Sequence, residues 1–131
     1  MLRTTRAFVP VIEANGGGAV VNLLSVLALA PMPGAAAYSA AKAAADSATR
    51  SLRAEAASRN ITVHGVYPAF VDTDMVARID AEKADPADVA TATLDAVEQG
   101  TGDVLPDAVA IGLWQAWTNG PRSLDQLFAS G

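Results

Sequence analysis

Gly18-Ala19-Val20-Val21-Asn22-Leu23-Leu24-Ser25 is a nearly unbroken apolar run, and Ile61-Thr62-Val63-His64-Gly65-Val66-Tyr67 is a second one. Between them, residues 38–58 hold alanine at 40, 41, 43, 44, 45, 48, 54, 56 and 57. Alanine has the highest helix propensity, so this stretch predicts one long helix. Strand, helix and strand over 18–67 read as a βαβ crossover with a parallel sheet. Strands this apolar belong in a sheet covered on both faces, so 18–25 is expected to be buried. Outward from this unit, residues 2–14 read as a helix and 103–109 as a short strand. Residues 86–99 read as a helix opened by Asp85 as N-cap, with Pro86 in the first helical position. The expected fold class is α/β, a parallel sheet of about three strands flanked by helices.

Composition bounds the function. A chain of 131 residues fits one domain. It contains no cysteine, which excludes disulfides and thiolate zinc sites and fits a reducing, cytoplasmic setting. A net charge of −5 and a pI near 4.6 argue against nucleic acid and anionic membrane as partners. The basic start Met1-Leu2-Arg3-Thr4-Thr5-Arg6 does not read as a secretory signal, because Pro10 and Glu13 break the apolar stretch that follows. The most apolar region, residues 23–37, is interrupted by Pro31, Pro33 and Gly34 and falls short of a bilayer span.

The candidate chemistry lies in Ala37-Tyr38-Ser39-Ala40-Ala41-Lys42, with Ser25 upstream at the end of the first strand. Residues four apart on a helix share a face, so the Lys42 ammonium can sit beside the Tyr38 phenol. A nearby positive charge favours a phenolate. Such a tyrosine can pass a proton to or from a carbinol oxygen. A serine hydroxyl at a strand's carboxyl end can hydrogen-bond the same oxygen as charge develops on it. A lone Tyr-x-x-x-Lys pair is more often an ordinary helix face, so the surrounding motifs decide the reading.

Three segments in order, Gly18 to Ser25, Pro33 to Ala44, and Val66-Tyr67-Pro68-Ala69-Phe70-Val71-Asp72-Thr73-Asp74-Met75, together resemble the short-chain dehydrogenase/reductase family. The resemblance implies a partial Rossmann-like fold. Ser25, Tyr38 and Lys42 match the family's catalytic serine, tyrosine and lysine, with Tyr38 and Lys42 also at the cofactor. The loop through Pro68, Val71 and Thr73 would touch the nicotinamide of NAD or NADP. Two positions depart from the family pattern: Ala69 stands where glycine is usual, and Leu24 where a further serine is common. The change at Ala69 gives up glycine's access to positive φ.

The resemblance covers nearly the whole chain but only the second half of the family's fold. The family's glycine-rich phosphate loop has no counterpart here, and Gly16-Gly17-Gly18 reads as a turn because it precedes a strand. The chain therefore reads as a single, truncated domain, 1–131. Its function would be hydride transfer between a nicotinamide and a small carbonyl or alcohol substrate. The alternative is a cofactor-free remnant that acts by proton transfer or as a binding or structural subunit.

The same resemblance implies packing of the alanine-rich helix against its copy in a homo-oligomer. A first strand without an outer neighbour would add an apolar edge that invites a second chain. Residues 73–83 occupy the position of a substrate lid and are few. His64 reads as a structural strand residue, Trp114 and Trp117 as core or interface packing, and Asp46, Arg50, Arg53 and Glu55 as a solvated helix face. The tail 122–131 reads as loosely held.

Overall fold

The computed structural model describes residues 1–120. Helix α1 spans Leu2–Ala14, strand β1 Gly18–Leu23, helix α2 Ala36–Ala56, strand β2 Ile61–Val66, helix α3 Pro86–Glu98, strand β3 Asp103–Val104 and helix α4 Ala108–Thr118. Single 3-10 turns lie at Val26–Ala28, Ala57–Arg59 and Asp74–Val76. The expected α/β class holds: the strands form one parallel sheet in the order β1-β2-β3, with Gly18 opposite Ile61 and Leu23 opposite Val66. The expectation for the tail 122–131 falls outside the described residues.

Alternation along β2 distributes its side chains between two layers. Ile61 and Val63 pack against Val9 of α1 and Leu52 and Ala56 of α2. Val66 points the opposite way, into a cluster with Val89 and Ala96 of α3 and Val104 of β3. Successive strand residues face opposite sides of a sheet, so helices on both sides follow from one apolar strand. Asp85 caps α3 as expected, its carboxylate accepting from the Ala87 amide at 2.7 Å. A third cluster of Leu24, Val26, Tyr67 and Ala110 closes the carboxyl end of the sheet.

Three expectations change. β1 is not a buried strand: it is an edge strand, ending at Leu23 rather than at residue 25, and Leu23 keeps 64% of its surface exposed. Only its inner side has a strand partner among the described residues, so the apolar run marks a surface left to be covered. The strand expected over 103–109 stops at Val104. Pro106 cannot donate to a ladder, and Asp107 turns the chain into α4, its carboxylate capping the Ala110 amide at 2.7 Å. The apolar stretch Ala108–Thr118 is accordingly a helix that propensity left unassigned. α2 begins at Ala36, before the expected residue 38, and gives way to a 3-10 turn after Ala56.

The glycine cluster is a structural turn. Gly16 and Gly17 have φ of +94° and +108°, and a Cβ on Gly17 would lie 2.2 Å from the Asn60 carbonyl oxygen. Asn60 itself sits at φ 56° and donates its side-chain amide to the Gly16 carbonyl at 2.7 Å. Asparagine tolerates this left-handed conformation better than most residues. The amides of Gly16, Gly17 and Gly18 donate to the Glu13, Ile12 and Asn60 carbonyls, where a phosphate loop would leave its amides open.

The candidate active site

The candidate residues follow the carboxyl ends of β1 and β2 or lie at the start of α2, the end of the sheet where open parallel sheets place their ligand crevices. Ser25 follows β1 in an extended conformation and opens the 3-10 turn Val26–Ala28. Its Oγ accepts from the Leu27 amide at 3.2 Å, and the residue is 5% exposed. Tyr38 stands in the first turn of α2 and keeps 41% of its surface accessible. Lys42, one turn on, lies with its Nζ 5.6 Å from the Tyr38 ring centroid, within the range of a cation–π contact. The same ammonium donates to the Leu23 carbonyl at 3.0 Å. Leu23 is two residues before Ser25, so this bond ties Lys42 to the strand end that carries the serine.

The loop after β2 is held from three sides. The Pro68 carbonyl accepts from the Val26 amide at 3.1 Å, next to Ser25. The Ala69 amide donates to Asp107 Oδ2 at 3.0 Å, so the carboxylate that caps α4 also grips the residue where glycine was expected. Val71 bridges in parallel to Ala84, and its side chain packs with the Val66 and Val89 cluster. Thr73 Oγ1 donates to the Val71 carbonyl at 3.2 Å. Pro68, Val71 and Thr73 thus share one loop that starts beside Ser25, with the partly buried Val71 side chain packed against the core.

Several contacts behind the candidate site escaped the reading of the sequence. The face of α2 expected to be solvated carries ties to the sheet. The Asn22 amide donates to Thr49 Oγ1 at 3.0 Å. Arg53 donates to the Val63 carbonyl at 2.7 Å, to the Gly102 carbonyl at 2.6 Å and to Asp103 at 2.7 Å. Asp46 pairs with Arg50 at 3.0 Å and accepts a short hydrogen bond from the hydroxyl of Tyr67, which is fully buried at the end of β2. Of that group, Glu55 stays exposed, and Arg50 is exposed while paired to Asp46. The signal was present as spacing: 38, 42, 46, 49 and 53 continue one helix face. Chemistry at 46, 49 and 53 had no partner visible in the sequence.

The Tyr67 hydroxyl is pushed well above the ordinary phenol range, first by burial and then by donation to the Asp46 carboxylate. Its folded value exceeds the unfolded value near 10, so its contribution to stability is complete below about pH 10 and falls away as pH rises further. Chemical denaturation at increasing alkalinity is expected to show the parent chain losing stability faster than Tyr67→Phe, by up to about 1.4 kcal/mol per pH unit. Parallel losses in the two proteins would contradict this.

His64 is buried in β2, with Nδ1 2.6 Å from the Thr101 carbonyl and Nε2 2.8 Å from Thr62 Oγ1. The carbonyl can only accept, so Nδ1 carries a proton, and both ring nitrogens are used inside the fold. This is the structural position expected for it. Trp114 meets Tyr67 edge-on at 5.4 Å and Trp117 at 5.8 Å, in agreement with core packing. Residues 74–76 form a 3-10 turn, and Met75 is 82% exposed. Among the described residues no group of three or more His, Cys, Asp or Glu could hold a metal ion, and no helix is long and apolar enough to cross a membrane.

Residues 1–84 match the model of the family described as short chain dehydrogenase, and the chain belongs to that family. It is similar to carbonyl reductase family member 4 of Danio rerio, 42% identical over 101 residues that make up 68% of this chain and 43% of that protein. It is also similar to a 3-oxoacyl-[acyl-carrier-protein] reductase of Synechocystis, 38% identical over 78 residues, 60% of this chain and 32% of that protein. Among solved structures, a short chain dehydrogenase of Burkholderia cenocepacia in complex with NADP superposes with a TM-score of 0.91 at 35% identity. That match covers 97% of this chain and 55% of the other. The chain therefore spans about a third to a half of the length of these relatives.

Proposed function

We propose that these residues form the carbonyl-handling part of an NAD(P)-dependent oxidoreductase, with Tyr38 as proton donor and acceptor, Lys42 beside it, and Ser25 binding the substrate oxygen. The observation that carries this reading is the Lys42 bridge. One ammonium lies against the accessible Tyr38 ring and is bonded to the strand end that leads to Ser25. In the reduction direction, Ser25 donates a hydrogen bond to the carbonyl oxygen and Tyr38 delivers a proton to it, while the ammonium favours the phenolate left behind. In the oxidation direction Tyr38 takes the proton back. The nicotinamide, when bound, supplies or removes the hydride at the carbon.

The described residues fit one end of that cofactor. Tyr38 and Lys42, with the loop of Pro68, Val71 and Thr73 that begins next to the Ser25 segment, would hold the nicotinamide and its ribose. Among the described residues the Gly16–Gly17 turn offers the pyrophosphate no open amides, since those of Gly16, Gly17 and Gly18 donate to the Glu13, Ile12 and Asn60 carbonyls. The substrate class is a small or medium ketone, aldehyde or alcohol. Support comes from the relatives named as carbonyl and oxoacyl reductases and from the NADP-bound structure that this chain resembles.

Assembly belongs to the same reading. The exposed edge of β1, with Val21 and Leu23 uncovered and Phe8 and Val11 exposed on α1, is a surface open to further polypeptide, and a second copy of the chain is the occupant proposed here. A homo-oligomer is the proposed partner state. Calorimetric titration with NADH and NADPH, run beside sedimentation, tests both points. The expected result is saturable binding in an assembled species. Absence of binding up to millimolar cofactor would count against redox chemistry by these residues, and a stable monomer at micromolar concentration against the assembly.

A further inference from the structure

Lys42 can serve the site only if α2 is held at one position along the sheet, and the alanine-rich surface of α2 provides few large side chains to lock it there. The polar ties of α2 are spread along its length, and Asp46 lies one turn beyond Lys42. Its carboxylate accepts the Tyr67 hydroxyl and is backed on the outer side by Arg50.

Tyr67 is built into the centre of the sheet's carboxyl end. Its amide donates to the Val104 carbonyl at 2.9 Å, and its ring packs with Leu24, Val26 and Trp114. The residues on either side of it are bonded to the segment that carries Ser25. The Val66 carbonyl accepts from the Leu24 amide at 2.7 Å, and the Pro68 carbonyl accepts from the Val26 amide at 3.1 Å. Gly65 makes room for the arrangement, because a Cβ there would lie 3.0 Å from the Tyr67 hydroxyl oxygen and 3.0 Å from Leu24 Cδ1. The hydroxyl that meets Asp46 is therefore fixed relative to Ser25 through backbone bonds on two strands.

We propose that Asp46 is a positioning residue: by accepting the Tyr67 hydroxyl it sets α2 against the sheet so that Lys42 reaches the Leu23 carbonyl beside Ser25. The catalytic meaning of that placement rests on the oxidoreductase reading, but the placement itself does not. Tyr67 donates and Asp46 receives, and Asp46 touches neither substrate nor cofactor in this scheme. Its effect on the site passes entirely through the position of Lys42.

The carbon-13 carbonyl resonance of Leu23 in the labelled full chain reads the Lys42 bond directly. Lys42→Met defines the shift that follows loss of the bond. The expected result is that Asp46→Ala and Tyr67→Phe, studied well below their melting temperatures, move the Leu23 resonance in the same direction and by a comparable amount. Asp46→Asn, whose side-chain oxygen can still accept the Tyr67 hydroxyl, is expected to leave it close to the parent position. Melting temperatures that fall in Asp46→Ala and Tyr67→Phe while the Leu23 resonance stays in place would overturn the proposal and leave Asp46 a stabilising residue only. A shift in Asp46→Asn as large as in Asp46→Ala would also overturn it, since the carboxylate charge and not the tie to Tyr67 would then be responsible. Should Asp46→Ala fail to fold, Tyr67→Phe, which keeps the ring, decides between the same outcomes. None of these signals requires cofactor or turnover, so absence of dinucleotide binding would refute the oxidoreductase reading without touching this one.

Discussion

Replacing Tyr38 with phenylalanine is expected to lower carbonyl turnover by about a hundredfold or more, the range that a positioned acid or base contributes. The substitution removes one hydroxyl from a ring that is 41% exposed and leaves the ring above Lys42. Stability should change by about 0.5 kcal/mol at most, as for surface positions without special packing. Rate and stability should thus separate, which a purely structural tyrosine would not allow. The assay is reduction of a ketone panel with NADPH, followed at the nicotinamide absorbance, beside a thermal melt of each protein. Parent-like turnover in Tyr38→Phe would remove Tyr38 from the catalytic role and leave the proton without a carrier.

The second large effect is on the fold. Arg53→Met keeps much of the side chain's length but removes three hydrogen bonds, two to backbone carbonyls and one to Asp103. A Cβ on Gly102 would lie 3.1 Å from the guanidinium carbon, so the chain leaves that space to the arginine. Arg53 and Asp103 side chains are about one-third and one-quarter exposed, at 32% and 27%, so water can recover part of the loss. The expected cost is about 3 kcal/mol, because charge-assisted bonds to partly buried acceptors are left without a donor. Urea unfolding of the two proteins measures it. Arg53→Lys should recover only part of the loss, since a compact ammonium cannot span the Val63 carbonyl, the Gly102 carbonyl and Asp103 as a planar guanidinium does. A loss below about 0.5 kcal/mol in Arg53→Met would return this residue to the solvated face on which the sequence placed it.

Arg53 also shows where reading a sequence stops. Its helix was legible, as were its approximate ends, because alanine propensity and the apolar runs on either side are local properties. The order β1, α2, β2 followed, together with the parallel direction, since a long helical crossover returns the chain to the same end of the sheet. The site motif was legible for the same reason. Tyr38 and Lys42 meet through helix periodicity, and Ser25 lies two residues past a strand whose apolar pattern marks it.

What lay beyond the sequence was every pairing between distant residues. The spacing of 46, 49 and 53 on one face could be counted, but their partners Tyr67, Asn22, Val63, Gly102 and Asp103 come from other elements. A helix face that reads as polar is solvated or bonded depending on what the fold places across from it, and propensity carries no information on that. The extent of β3 and the start of α4 failed for a related reason. Pro106 and Asp107 signal a stop and a cap, yet the helix beyond is established by packing of Trp114 on Tyr67 and by Asp107 gripping both Ala69 and Ala110. β1 reads as a buried strand from its composition, and only the sheet order shows that its outer side has no strand partner among the described residues. Local chemistry thus determined the elements and singled out Ser25, Tyr38 and Lys42 as the candidate set. The tertiary structure alone decided which polar groups tie α2 to the sheet, because hydrogen bonds between distant segments depend on distances that sequence spacing does not encode.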